Sequence, residues 1–155
     1  LTVHAGDFAE KPVYNGIDEY GELIAVKGNC DFFDLPNSET FTRGDIKFGV
    51  YHGTGINPRG DHETLQKIAT EDLEVQVLIH GHTHQEEIKK LENTLLINPG
   101  TCTGVGGGSS SKKNPTMATL EFPKENLQIK IWEKDRNTGK TSIKKQETYQ
   151  LEKFY

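Results

Sequence analysis

The stretch Val75-Gln76-Val77-Leu78-Ile79-His80-Gly81-His82-Thr83-His84 decides how the chain is read. Its first half is apolar and rich in β-branched side chains, as a buried strand is. Its second half places a glycine and three imidazoles where that strand stops. The carboxyl ends of strands are where open α/β sheets build their ligand sites. Neutral imidazole is the commonest metal-ligating side chain. His82 and His84 are spaced so that one turn aims both at one place. A solvated His-rich turn is the competing reading, and the neighbouring segments decide between them.

On the amino-terminal side, Asp61 is a good N-cap, and Leu65, Ile68, Ala69 and Leu73 carry helical spacing over 62–73. His62 is read as an exposed residue of that helix's first turn. Farther upstream, 39–43 and 47–51 read as two short strands joined by Arg43-Gly44-Asp45-Ile46, with Gly44 as the turn signal. The second of these strands ends in His52-Gly53. Residues 22–27 form another apolar strand and end in Gly28-Asn29-Cys30-Asp31, while 1–5 run as a strand into Gly6-Asp7. Residues 8–20 read as a loop or weak helix ending at Gly21.

On the carboxyl-terminal side, 85–91 and 94–98 read as a hairpin turning at Glu92-Asn93 and stopped by Pro99-Gly100. Residues 101–115 are Gly/Ser-rich and read as a mobile loop. Segments 116–122, 127–133 and 141–151 close the chain as strands. Leu127, Ile129 and Ile131 alternate with Gln128, Lys130 and Trp132, the period of a half-buried strand.

The chain has 155 residues, enough for one domain with a real core, and 1–155 are read as a single domain. No apolar run is long enough to cross a bilayer. Two cysteines, Cys30 and Cys102, make no disulfide framework, so a reducing, cytoplasmic setting is expected. Net charge is −5, unevenly spread. Residues 1–111 hold 8 Lys/Arg against 17 Asp/Glu and all six histidines, whereas 112–155 hold 10 against 6. An acidic, His-bearing part suits a cation. Nothing matches the strongly basic footprint of a duplex-DNA reader, so sequence-specific nucleic-acid binding is not expected.

Four successive strand ends therefore carry Asp7, Asn29, His52 and the pair His82/His84, each near a glycine. In a sheet whose strands run the same way, these residues converge on one edge. A carboxylate, a carboxamide oxygen and three imidazoles suit Mn, Zn, Fe, Co or Ni better than Ca, which takes oxygen ligands.

The ordered blocks Gly6-Asp7, Gly28-Asn29-x-Asp31, His52-Gly53, Gly81-His82-x-His84 and Asn98-Pro99-Gly100 resemble the calcineurin-like metallophosphoesterase superfamily. Within it the chain looks like the small, single-domain archaeal and bacterial phosphodiesterase group. The resemblance covers 1–123. It implies an α/β fold, a metallophosphoesterase-type sandwich of two mixed β-sheets flanked by helices, with two divalent transition-metal ions at the sheet edge, manganese first among them. Carried over by position, Asp7 would bridge the metals, Asn29, His52 and His82 would hold one of them, and His84 the other. Asn29 and His52 would also serve catalysis.

Two departures from the family pattern stand out. The family's first block, Asp-x-His at the end of a first strand, is not in the chain, so the first β-α unit is expected to precede Leu1. Cys30 stands where many members have a proton-donating histidine, and a thiol near its usual pKa is a poorer donor at neutral pH. The implied activity is hydrolysis of a small phosphate ester, a diester first, by a hydroxide bridging two metals. His4 and His80 are read as structural or supporting. The alternative is a metal-free scaffold of the same fold, and a homodimer is compatible with either.

Overall fold

In the computed structural model, residues 1–107 and 112–151 are described. The first strand, β1 (Thr2–His4), leads to helix α1 (Lys11–Asp18), which carries a proline in its first turn, where no backbone donor is needed. Next come β2 (Leu23–Ala25), β3 (Ser38–Arg43), β4 (Ile46–Tyr51) and α2 (His62–Lys67). A single π-helical turn (Ile68–Asp72) delivers the chain to β5 (Val77–His80). The rest is β6 (Glu87–Leu91), β7 (Thr94–Asn98), β8 (Thr116–Glu121), β9 (Asn126–Lys134) and β10 (Thr141–Gln150).

A five-stranded mixed sheet runs in the order β3-β4-β5-β7-β6, and a three-stranded antiparallel sheet in the order β10-β9-β8. β1 and β2 form a parallel ladder of their own, with Val3 opposite Ile24. Strands β4, β5 and β7 are mutually parallel, so their carboxyl ends lie along one edge. Period-two alternation sorts the apolar residues. Val77, Ile79, Leu95 and Ile97 meet Leu127, Ile129 and Ile131 of the smaller sheet. Leu78 and Leu96 point the other way, against Leu65 and Ala69 of the helical segment. The fold is the expected α/β sheet sandwich.

Several elements differ from expectation for local reasons. Asp61 does cap α2, accepting from Thr64 N at 2.9 Å. The helix does not run evenly to residue 73. Leu73 N reaches back five residues to Ile68 O and Val75 N bonds Ala69 O, which widens the last turn as the chain leaves for β5. The second strand stops at Ala25 rather than at residue 27, because Lys27 N turns away to Pro36 O. The mobile loop expected over 101–115 is pinned at both ends. Lys113 N bonds Gly104 O, Thr116 N bonds Thr101 O, and the Arg136 guanidinium donates to the Thr103 and Lys113 carbonyls. Its middle, 108–111, lies outside the described residues. His62 is half-buried rather than exposed and pairs with the Glu87 carboxylate at 2.9 Å. Among the described residues, no helix is long and apolar enough to cross a membrane.

Candidate metal centre

Sheet topology brings the polar strand ends together. Asp7 follows β1, Asn29 follows β2 by four residues, His52 follows β4 and His82 follows β5 by two. His52 sits at the centre and is 2% exposed. Its Nδ1–H donates to the Ala5 carbonyl at 2.6 Å, which fixes the tautomer and leaves Nε2 as a lone pair. Around that Nε2 stand Asn29 Oδ1 at 3.2 Å, Asp7 Oδ2 at 3.3 Å and His82 Nδ1 at 3.3 Å. Donor atoms of Asp7, His52 and His82 all lie within 4.8 Å of one another.

The donor set tests whether a cation fits. The Asp7 carboxylate and the Asn29 carbonyl oxygen carry no proton, and His82 can offer only one. Four lone-pair donors packed this closely repel unless positive charge separates them, and a transition metal takes this N/O mixture.

Backbone strain marks the same positions. Asp7, His82 and His84 adopt φ of 65°, 67° and 56°, left-handed values that non-glycine residues rarely take. The Asp31 carboxylate holds the first of these turns. It is buried, and it accepts from Asp7 N at 2.9 Å, Ala9 N at 2.9 Å and Gly28 N at 2.8 Å. Asp7 Oδ1 in turn accepts from Cys30 N at 2.8 Å. Asn98 braces the other turn, donating from Nδ2 to Gly81 O at 3.2 Å and Thr83 Oγ1 at 3.0 Å.

Asp7, Asn29, His52 and His82 are thus brought to one point, and His84 is not among them. Its Nδ1–H donates to Val105 O at 2.8 Å, leaving Nε2 as its free donor atom. His4 stacks on Phe8 with ring centroids 3.7 Å apart, and burial pushes its pKa down to about 4. Burial likewise lowers His80 to about 4. Both are therefore neutral supporting rings at neutral pH. Burial lowers His82 as well, with the His52 ring adding to the effect. The Cys30 thiol is pushed up, by burial and then by the Asp7 carboxylate.

Sequence reasoning did not foresee the threefold role of Asp31, although its spacing from Gly28 is that of a side chain capping its own turn. It also missed the cleft beside the centre. That cleft, about 520 Å³, is walled by Lys27, Asn37, Tyr51 and Thr54 and meets the centre at Asn29 and His52.

A family model described as the calcineurin-like phosphoesterase superfamily domain matches residues 1–125. The chain is 41% identical over 103 residues to a probable metallophosphoesterase of Methanocaldococcus jannaschii, a match covering 66% of this chain and 53% of that protein. It is 36% identical over 134 residues to a probable metallophosphoesterase of Methanothermobacter thermautotrophicus, covering 84% of this chain and 74% of that protein. The chain therefore spans about half of the first relative and about three quarters of the second. Among solved structures, a single mutant of Vps29 from Entamoeba histolytica superposes with a TM-score of 0.83 at 28% identity, covering 95% of this chain and 81% of that one. Wild-type Vps29 of the same organism, complexed with zinc, gives a TM-score of 0.80 at 28% identity, covering 96% and 81%.

Proposed function

Because the chain belongs to the calcineurin-like phosphoesterase superfamily, we propose that it is a metal-dependent phosphoesterase whose preferred substrates are small phosphodiesters. One observation carries this reading: with both rings as neutral imidazoles, the form that ligates metals, Asp7, Asn29, His52 and His82 crowd lone pairs around one point with at most one proton among them. In this reading these four residues hold one divalent ion, and Asp7 and His84 contribute to a second. Bound ions, manganese first and zinc, iron, cobalt or nickel as alternatives, supply Lewis-acid charge that neutralises phosphate oxygens and acidifies water.

The chain's own residues do the positioning. The Ala5 carbonyl keeps His52 in the tautomer that presents Nε2. Asn29, exposed at the mouth of the cleft, orients a phosphate oxygen with its amide. Cys30 stays a protonated thiol at neutral pH, and its raised pKa makes it a weak acid toward a leaving group. Esters with stable leaving groups are therefore favoured. Both cysteines are free and exposed, which fits a reducing cytoplasm.

The test loads the full gene product with manganese and assays bis(p-nitrophenyl) phosphate beside p-nitrophenyl phosphate. Turnover of the diester is expected, falling at least about a hundredfold in His52→Ala, whose ring lies at the centre of the donor set. Inactivity on both esters with metal bound by elemental analysis defeats the enzyme reading. A metal-free scaffold is the second reading; the likeness to Vps29 supports a scaffold role, while zinc in wild-type Vps29 of Entamoeba histolytica speaks against the absence of metal. It predicts no metal in the purified protein and no loss on chelation.

A further inference from the structure

We propose that the cleft beside the metal centre takes a substrate whose non-reacting ester arm ends in an anionic group, and that Lys27 pairs with that group. The proposal rests on the phosphoesterase reading and adds the substrate class to it. The cleft's volume, about 520 Å³, suits a small molecule rather than a macromolecular chain. Its lining includes Asn29 and His52 of the centre, so an ester held there would have its other arm among Lys27, Asn37, Tyr51 and Thr54.

The chemistry of those walls selects the arm. The Tyr51 hydroxyl already donates to Thr54 O at 2.8 Å. The Asp31 carboxylate, also on the wall, is taken up by three backbone N–H groups. Asn37 offers neutral hydrogen bonding. Lys27 is left as the one cation of the lining. It is half-buried, and among the described residues its ammonium makes no ion pair. Some lysines of the chain do find a protein acceptor: Lys67, Lys130, Lys144 and Lys145 each meet a carboxylate within 2.9 Å, and the half-buried Lys47 and Lys113 donate to backbone carbonyls at 3.0 and 3.2 Å. The backbone sets the position of Lys27, since its N–H bonds Pro36 O at 2.8 Å, just before the turn that carries Asn29. An ammonium without an ion-pair partner, on the wall of a cleft that also includes residues of the proposed phosphate-binding centre, can take an anion such as a carboxylate or second phosphate.

Two p-nitrophenyl phosphodiesters that differ in one arm, butyl against 3-carboxypropyl, test this in the manganese-loaded protein. The carboxylated ester is expected to have a KM about tenfold lower, the size of one charge-assisted contact. Lys27→Met should abolish that preference and Lys27→Arg should keep it. Equal KM values in the wild type, or a preference that survives Lys27→Met, overturns the proposal. So does a Lys27→Met variant that weakens both esters equally, which would put Lys27 on the reacting phosphate. Calorimetric titration with butylphosphonate and 3-carboxypropylphosphonate gives the same comparison without turnover. If neither ester is hydrolysed but the carboxylated phosphonate binds about tenfold tighter in a Lys27-dependent manner, the cleft assignment stands and the activity falls. Equal binding of the two phosphonates overturns the cleft assignment itself.

Discussion

Gly28 has Asp7 against it where any other residue would have a side chain. A Cβ there would fall onto Asp7 Oδ1 and the Asp7 backbone nitrogen. The φ of Gly28 is not in the left-handed region, so its backbone alone would accept alanine. Gly28→Ala must therefore act by displacing Asp7, its carboxylate and its backbone nitrogen alike. Metal affinity should drop about 10–100-fold, the usual consequence of disturbing a ligand's support, as read by competition with a chromophoric chelator. Wild-type affinity in that variant would mean that Asp7 is not a ligand. Asp31→Asn acts on the same turn differently. The amide keeps one acceptor oxygen for three N–H donors and aims an NH₂ at the rest. A cost of about 1–3 kcal/mol is expected in the urea midpoint, with weaker metal binding alongside. The contrast shows what was readable residue by residue. Asp7, Asn29, His52 and His82 carry recognisable donor atoms beside glycines. Asp31 and the Ala5 carbonyl act through main-chain geometry that exists only once the turns have closed.

Among the elements, β5 was the most legible, because burial on both faces leaves a continuous apolar run. Its alternation is exact: Val77 and Ile79 face the smaller sheet, and Leu78 faces the helical segment. Leu78 is fully buried. Leu78→Ala should cost about 2–5 kcal/mol in denaturant unfolding, the range for a cavity of this size. Metal stoichiometry should stay unchanged, since the removed atoms point away from the centre. A variant that kept its stability but lost its metal would contradict that facing. The less legible elements are those shaped by tertiary contacts. The helical pattern over 62–73 hides a π-turn because both α- and π-helical ladders place Leu65 and Ala69 on the sheet. The Gly/Ser composition of 101–115 reports backbone freedom, whereas Arg136, distant in sequence, adds two bonds to the backbone pairs that pin that loop.

For the molecule as a whole, burial of uncharged imidazole couples stability to pH. His4 and His80 sit on different strands beside the same centre, the first stacked on Phe8 and the second at the end of β5. Burial lowers both to about 4, against about 6.5 in an unfolded chain. Above pH 6.5 neither state holds the proton, and the folded form has its full stability. As pH falls from 6.5 toward 4, the unfolded chain takes up a proton that the folded one refuses, so stability declines across that window. Below about 4 both states are protonated and this contribution levels off. Each ring accounts for about 2–3 kcal/mol over the window by linkage, a large share of the roughly 5–15 kcal/mol typical of a domain. Urea midpoints measured from pH 7 to pH 4 with chelator present should fall steadily, the chelator removing any stabilisation from bound ions. His80→Gln, which cannot take up a proton, should flatten its share of that slope even if it lowers the midpoint at pH 7. A slope unchanged by the substitution would show that His80 is accessible to protons in the folded chain, contrary to its burial next to the Gly81-His82 turn.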